Sequence, residues 1–353
     1  MPTSSTICAL HRIVGQLLAR AGFPGKFDLA LLPGGANNRV ARLQWNDRHF
    51  LLKVYFQHPH DRRNRLDAEF AFLCYAWNHG ICCVPRPYAI AHDKHAALYE
   101  FVEGRPVRGA DVSGSCVRQA SAFFQQLNAY RNSTDAAHLP LAAESCFSMQ
   151  EHIGCIARRM ARLSLIKGRG QWDRQAVRFI RTRLTPAWQA VSNVVDDQLR
   201  RLPAACARVM KFNARRLSPS DFGFHNAILT RDQPIHFIDF EYAGWDDPAK
   251  TVCDFFCQVA VPVPWSYMPQ FTTMVLADQS KPERQIIRAK IRLLLPLYQI
   301  KWCCILLNDF LPIEASRRRF AQGTDHRHER KAAQLTKAGV LLDRLVSPEE
   351  TPL

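Results

Sequence analysis

The chain has little of what marks a secreted, membrane-embedded or metal-stapled protein. Its 353 residues contain no CxxC and no zinc-ligand spacing. The twelve cysteines therefore read as buried free thiols of a reducing compartment, not as a disulfide or zinc framework. The N-terminus lacks a basic start followed by a long apolar run, so no secretory signal is expected. The longest apolar segment, Leu293 to Leu307, is interrupted by Pro296 and Lys301 and reads as too short to span a bilayer. There is no internal repeat, no low-complexity tract, and no basic segment interleaved with aromatics that would point to a specific nucleic-acid partner. Acidic residues are the minority charge, 31 against 47 Lys and Arg, giving a net +16. Long-range repulsion from such a surface works against a polycationic substrate and fits a neutral or anionic one. A soluble cytoplasmic protein is expected.

What is present concentrates between Leu217 and Asp254. Asp221 is followed five residues later by Asn226, then by a polar turn from Thr230 to Gln233, then by the strand-like run Ile235 to Ile238 that ends on Asp239. Phosphoryl transfer needs such a set: one carboxylate to orient a hydroxyl and accept its proton, and an amide oxygen with a second carboxylate to hold magnesium. Upstream, Gly34, Gly35 and Asn37 lie in a loop whose backbone can approach a ligand closely and aim amides at phosphates, although it is not a Walker motif. The runs Arg39 to Trp45 and His49 to Tyr55 flank the turn Asn46-Asp47 and predict a hairpin. Lys53 interrupts the second run. Taken alone, it reads as a surface lysine.

Together, DxxxxN, an apolar strand, IDxE and AGWxDPAxxxxD resemble the aminoglycoside phosphotransferase and choline kinase group, small-molecule kinases with the protein-kinase fold. The resemblance runs from about Leu32 to Asp254. It implies that Asp221 is the catalytic base, that Asn226 and Asp239 are the metal ligands, and that Asp247 and Asp254 support the loop. Lys53 would grip the α- and β-phosphates of ATP, with GTP open as donor, and Mg2+ would be the metal. Such a lysine needs an acidic partner: Glu69, with Asp67 as the fallback. Glu100-Phe101-Val102 resembles the acidic hinge, with backbone groups at Glu100 and Val102 meeting the adenine edge. The pattern departs at one place, where Pro219-Ser220 stands for the usual His-Gly before the catalytic Asp.

The implied fold is α+β, bilobal and protein-kinase-like, with a small antiparallel-sheet N-lobe over residues 1–103 and a larger, mainly helical C-lobe over 104–353. An amphipathic helix over residues 3 to 22 precedes the sheet. A second helix carries Leu66, Phe70, Leu73 and Trp77 on its apolar face, and the Arg62, Arg63, Arg65 run reads as solvated. Helices are also expected over Asp111–Arg131, over 145–200 with a split at Gly168-Arg169-Gly170, over Arg284–Leu295, over the run from Leu297 to Phe310, and over Lys331–Leu345. Residues 158 to 183 are rich in arginine, a solvated face or a greeting surface for an anionic acceptor. Trp302 is either core or a stacking platform for a sugar. Cys253 and Cys257, one helical turn apart, read as core. The acceptor is expected to be a small hydroxylated molecule, foremost a sugar or sugar derivative. An aminoglycoside or choline-type amino alcohol, or a non-catalytic nucleotide-binding module, is the alternative.

Overall fold

The computed structural model describes residues 4–32, 38–58, 63–201, 208–232, 234–312, 320 and 327–353. Gly34, Gly35, Asn37 and Gln233 lie outside the described residues. The chain opens with a helix, Ser4–Arg20, and Gly22 follows at φ 83°, a left-handed conformation that ends it. A five-stranded antiparallel sheet comes next: β1 (Asp28–Leu31), β2 (Arg39–Trp45), β3 (Arg48–Val54), β4 (Pro87–Ala91) and β5 (Ala96–Glu100), in the order β1-β2-β3-β5-β4. Asn46 takes the left-handed turn position at φ 49° between β2 and β3.

Period-two alternation divides the sheet's side chains between two cores. Ala41, Leu43, Phe50, Leu52, Ala96 and Leu98 pack with Leu10, Val14, Leu17 and Leu18 of the first helix. On the other face, Ala97 and Tyr99 join the main core with Leu66, Phe72, Leu73 and Tyr75 of the helix Arg65–Asn78. Lys53 shares this second parity with Leu51. The strand thus sends a lysine inward, beneath the sheet.

That helix is rotated from the face its apolar spacing suggests. Glu69, Phe72, Tyr75 and Ala76 are buried, while Phe70 and Trp77 are only partly covered. Arg65 departs from the solvated reading altogether: it is 1% exposed, with its guanidinium 3.9 Å from Glu241. A buried partner more than 170 residues away decided its place, which no local pattern carries.

After a short strand β6 (Arg105–Pro106), the chain is mainly helical. The helix Gly114–Ala129 starts later than Asp111, which instead caps a short turn and pairs with Arg105 at 2.6 Å. Met149–Arg162 follows, then Gln171–Phe179, which continues through a π-turn at Ile180–Leu184 into Thr185–Arg201. Small strands β7 (Arg216–Ser218), β8 (Ala227–Leu229), β9 (Ile235–Phe237) and β10 (Gly244–Asp246) carry the motif region. β6-β8-β9 form one sheet, and β7 pairs with β10.

The core of this half is one 27-residue helix, Lys281–Leu307, started by a Ser280/Glu283 capping box. It packs against Pro248–Cys257, Met149–Arg162, Thr185–Arg201 and Arg327–Asp343. The two helices expected on either side of Pro296 are therefore one. Packing along the helix outweighs the single donor that proline removes. It is the one helix among the described residues long and apolar enough to cross a membrane, and 78% of that apolar window is buried inside the fold. Cys253 and Cys257 are buried against it, with sulfurs near the Ile291 and Leu295 carbonyls.

Candidate active site

At the bottom of the cleft between sheet and helices, Lys53 Nζ lies 2.6 Å from Glu69 Oε2 and 2.5 Å from Asp239 Oδ1. Glu69 is held from three sides. Its Oε2 also accepts a hydrogen bond from the Tyr55 hydroxyl at 2.7 Å, and its Oε1 accepts one from the Phe240 amide at 3.2 Å. Asp67 faces elsewhere, toward His92 at 3.1 Å. Burial would lower the Lys53 ammonium, but Asp239, Glu69 and Glu241 outweigh it and hold the group well above the ordinary lysine value. The lysine is therefore a fixed cation. Asp239 has the opposite environment. Its position among protein atoms, reinforced by Glu241 and Glu69, pushes the carboxyl up to about 6 despite Lys53. Its side chain still keeps 36% of its surface open, so it faces the cleft.

The loop bearing Asp221 begins with β7 and is bent sharply. Ser220 sits at φ 65°, in the left-handed region that a glycine adopts without cost. Its amide donates to Ser218 Oγ at 3.1 Å, and Ser218 Oγ in turn meets Thr251 Oγ1 at 3.0 Å. These hydroxyls brace the loop backbone at the position where the family pattern has His-Gly. Asp221 Oδ1 lies 3.2 Å from His225 Nε2, while Asn226 Nδ2 donates to the Asp221 carbonyl at 3.0 Å and to Oδ2 at 3.4 Å. Burial opposes the Asp221 charge, but His225 and Asn226 prevail and hold the carboxyl below its usual value. Burial likewise opposes the His225 charge, and Asp221 raises the imidazole over it. Asn226 is tied to the second motif through its carbonyl, which accepts from the Ile238 amide at 2.9 Å. One backbone hydrogen bond thus sets Asn226 beside Asp239.

At the far edge of the sheet, β5 ends on Glu100 and Val102 lies beyond it. The Glu100 amide donates to the Arg86 carbonyl at 2.8 Å and its Oε2 accepts from the Arg86 amide at 3.1 Å, while the Phe101 amide turns to His49. The Val102 amide has no partner among the described residues. Gly104 then passes so close to β8 that a Cβ there would stand 2.5 Å from the Leu229 carbonyl oxygen. Only glycine lets the connecting segment lie against the strand that follows Asn226.

Residues 28–278 match the phosphotransferase enzyme family. The chain belongs to that family. No curated protein sequence matches it. Among solved structures it is similar to a spectinomycin phosphotransferase in complex with ADP and spectinomycin, at TM-score 0.63 and 10% identity, covering 96% of this chain and 98% of that one. It is also similar to a choline/ethanolamine kinase family protein from Mesorhizobium loti, at TM-score 0.56 and 14% identity over 97% and 95% of the two chains. A macrolide 2'-phosphotransferase from Brachybacterium faecium matches at TM-score 0.54 and 16% identity over 89% and 99%. The fold is the protein-kinase-like one, and the family is one of phosphotransferases.

Beneath the motif loop of this phosphotransferase lies a second set of charges, almost wholly buried. Asp247 caps the helix Pro248–Cys257 through the Ala249 amide at 2.7 Å, is neutralised by Lys290, and lies 3.3 Å from Nε2 of His152, whose imidazole burial keeps below its ordinary value. Asp246 pairs with Lys250 at 2.6 Å, and Asp254 with Lys301 at 2.8 Å. Trp302 is 8% exposed and donates from Nε1 to Asp254 at 3.0 Å, while its ring meets His225 edge-on. The indole is therefore a brace behind His225, not a stacking platform.

The sequence reading gave His225 no part, and met Glu241 and Asn38 only as members of the IDxE motif and of the glycine-bearing loop, without a role. Asn38 Nδ2 donates to Glu241 Oε2 at 2.5 Å, tying the end of the glycine-bearing loop to the acidic segment after Asp239. The only local signals were the histidine four residues after Asp221 and the second acid of IDxE.

Proposed function

We propose that this phosphotransferase moves the γ-phosphate of ATP, with magnesium, to a hydroxyl of a small neutral or anionic acceptor, foremost a sugar or sugar derivative. The observation that carries the reading is the Lys53 ammonium held between Glu69 and Asp239, with Asn226 bonded by its backbone to the strand leading to Asp239. An amide oxygen and a carboxylate are hard oxygen donors suited to magnesium, which takes its remaining ligands from phosphates and water. The described residues contain no cluster of three or more acidic, His or Cys ligands. A site completed by the nucleotide is consistent with that. When bound, metal-nucleotide supplies the phosphoryl group and neutralises its oxygens.

The chain's own residues have distinct parts. Lys53 exchanges Asp239 for the α- and β-phosphates while Glu69 keeps it extended. Val102 offers its free amide, and Glu100 its backbone, to the adenine edge at the junction of residues 1–103 with 104–353. Gly34, Gly35 and Asn37 belong to the loop assigned to the phosphates on sequence alone. Asp221 orients the acceptor hydroxyl and takes its proton, with His225 and Asn226 fixing its two oxygens. The net charge of +16 supports a neutral or anionic acceptor over a polycationic one.

The test is ADP release with ATP and magnesium across free sugars, sugar phosphates, amino sugars, choline and aminoglycosides, alongside Asp221→Asn. Turnover with a sugar-class acceptor, lost in the variant while nucleotide binding persists, supports the reading. Turnover only with amines would transfer it to the amino-alcohol class. Nucleotide binding with no turnover on any acceptor would leave a binding module.

A further inference from the structure

The segment from 158 to 183 holds nine Arg or Lys residues and a single acid, Asp173. The acid is taken by Lys331 at 2.6 Å. Arg159 is spent on Glu144, and Arg183 on Asp343. The other seven basic side chains are all exposed, and among the described residues none has a carboxylate partner. Arg158 and Arg162 lie one turn apart on the helix Met149–Arg162. Arg174, Arg178 and Arg181 follow the same rule on the next helix. The turn between them carries Lys167 and Arg169, and its Gly168 packs on Arg174, where a Cβ would come within 3.2 Å of Cγ. The two stripes are thus joined into one basic strip.

The strip also exposes apolar side chains. Leu165, at the head of the turn, is 58% exposed and Val177 is 37% exposed. Its aromatics do not reach out: Phe179 is buried and Trp172 packs against the core. Unpaired cations around protruding aliphatics, with no aromatic face for a base to stack on, match an anionic lipid surface better than a nucleic acid.

We propose that the phosphotransferase docks peripherally on anionic lipid bilayers through this strip, with Leu165 entering the headgroup boundary. Docking needs no spanning helix. It places the helices between hinge and motif loop against the membrane, independently of what the active site phosphorylates.

The test is sedimentation of the full chain with vesicles of equimolar phosphatidylglycerol and phosphatidylcholine, against phosphatidylcholine alone, over a salt series. Binding is expected only to the anionic vesicles and should weaken as salt rises. Each basic residue near such a surface multiplies partitioning about fivefold, so Arg174→Gln/Arg178→Gln/Arg181→Gln should lose about a hundredfold. Leu165→Ser should lose about tenfold at every salt concentration. Arg12→Gln/Lys26→Gln/Arg48→Gln removes the same charge from exposed positions of the first helix and sheet region. If this control triple loses as much as the strip triple, generic charge attraction replaces the proposal. Equal sedimentation with both vesicle types, or strip-dependent binding to an oligonucleotide with none to vesicles, would also overturn it. Circular dichroism and thermal melts of each variant separate lost docking from lost folding.

Discussion

The two charged clusters of this phosphotransferase are built from the same residue types for opposite purposes. In the cleft, Lys53, Glu69 and Asp239 form a group with one open side: Asp239 keeps 36% of its side-chain surface accessible, and its carboxyl is pushed up to about 6. Beneath the motif loop, Asp247 is fully buried among Lys290, His152 and the Ala249 amide, and its carboxyl is held far below the usual range. Burial opposes both carboxylates. What differs is compensation: Asp247 has partners on every side, whereas Asp239 shares one lysine with two other acids. A charge that must stay is fully paired. A carboxylate left short of partners keeps a side open, as the metal role proposed for Asp239 requires.

Substitutions that hit one cluster and spare the other break this comparison cleanly. Asp247→Ala should have the largest effect, because it strands Lys290 in the interior, about 3–5 kcal/mol, and removes a helix cap, about 1 kcal/mol more. Thermal or urea unfolding should show a strongly destabilised protein or none that folds; a melting curve like the wild type's would mean the cluster is not structural. Asp221→Asn comes next. Turnover should fall about 10²–10⁴-fold, as for loss of a general base, with the melting temperature nearly unchanged. A rate within a few-fold of wild type would remove Asp221 from the chemistry.

Ser220→Gly sharpens the comparison at the loop between the clusters. It relieves a left-handed serine at about 1–2 kcal/mol but frees the unfolded chain by about 0.5–1 kcal/mol, so stability should rise by about 1.5 kcal/mol at most. A clear loss of stability would show that the hydroxyl, not the backbone angle, matters there. The smallest effect concerns pH. Burial opposes the Glu144 charge, but Arg159 and Lys301 hold the carboxyl down to about 2, below its ordinary 4.5. Its contribution is therefore present above pH 4.5 and lost as pH falls from there toward 2. With nearly a third of that side chain exposed, screening keeps the effect under about 1 kcal/mol. Glu144→Gln should lower stability at neutral pH by that amount, flatten the acid limb of a stability-versus-pH curve, and leave stability near pH 2 almost untouched.

Much of the fold was legible because its signals are local. The hairpin around Asn46, the helix closed by Gly80 and the leading helix closed by Gly22 each carry their own punctuation, and both glycines are left-handed as punctuation requires. The spacing of Asp221, Asn226 and Asp239 was legible for the same reason, since a short loop and one strand pair fix it. Arg65 was misread, and Pro296 was taken as a break, because a partner far along the chain outweighs the local preference in each case. His225 and Glu241 were given no role because neither is unusual until Trp302 and Asn38 come up behind them.

The amino-acid sequence by itself determined the order of the chemical groups, the strand parity that turns Lys53 under the sheet, and the charge excess that colours the whole surface. Only the tertiary structure decided which carboxylate meets which cation. Glu69 and not Asp67 faces Lys53, Arg65 is drawn inside by Glu241, and Asp247 is saturated while Asp239 is left wanting. The physical reason is that charge energetics depend on separations of a few ångströms between residues up to some two hundred positions apart, and spacing along a chain does not encode such distances.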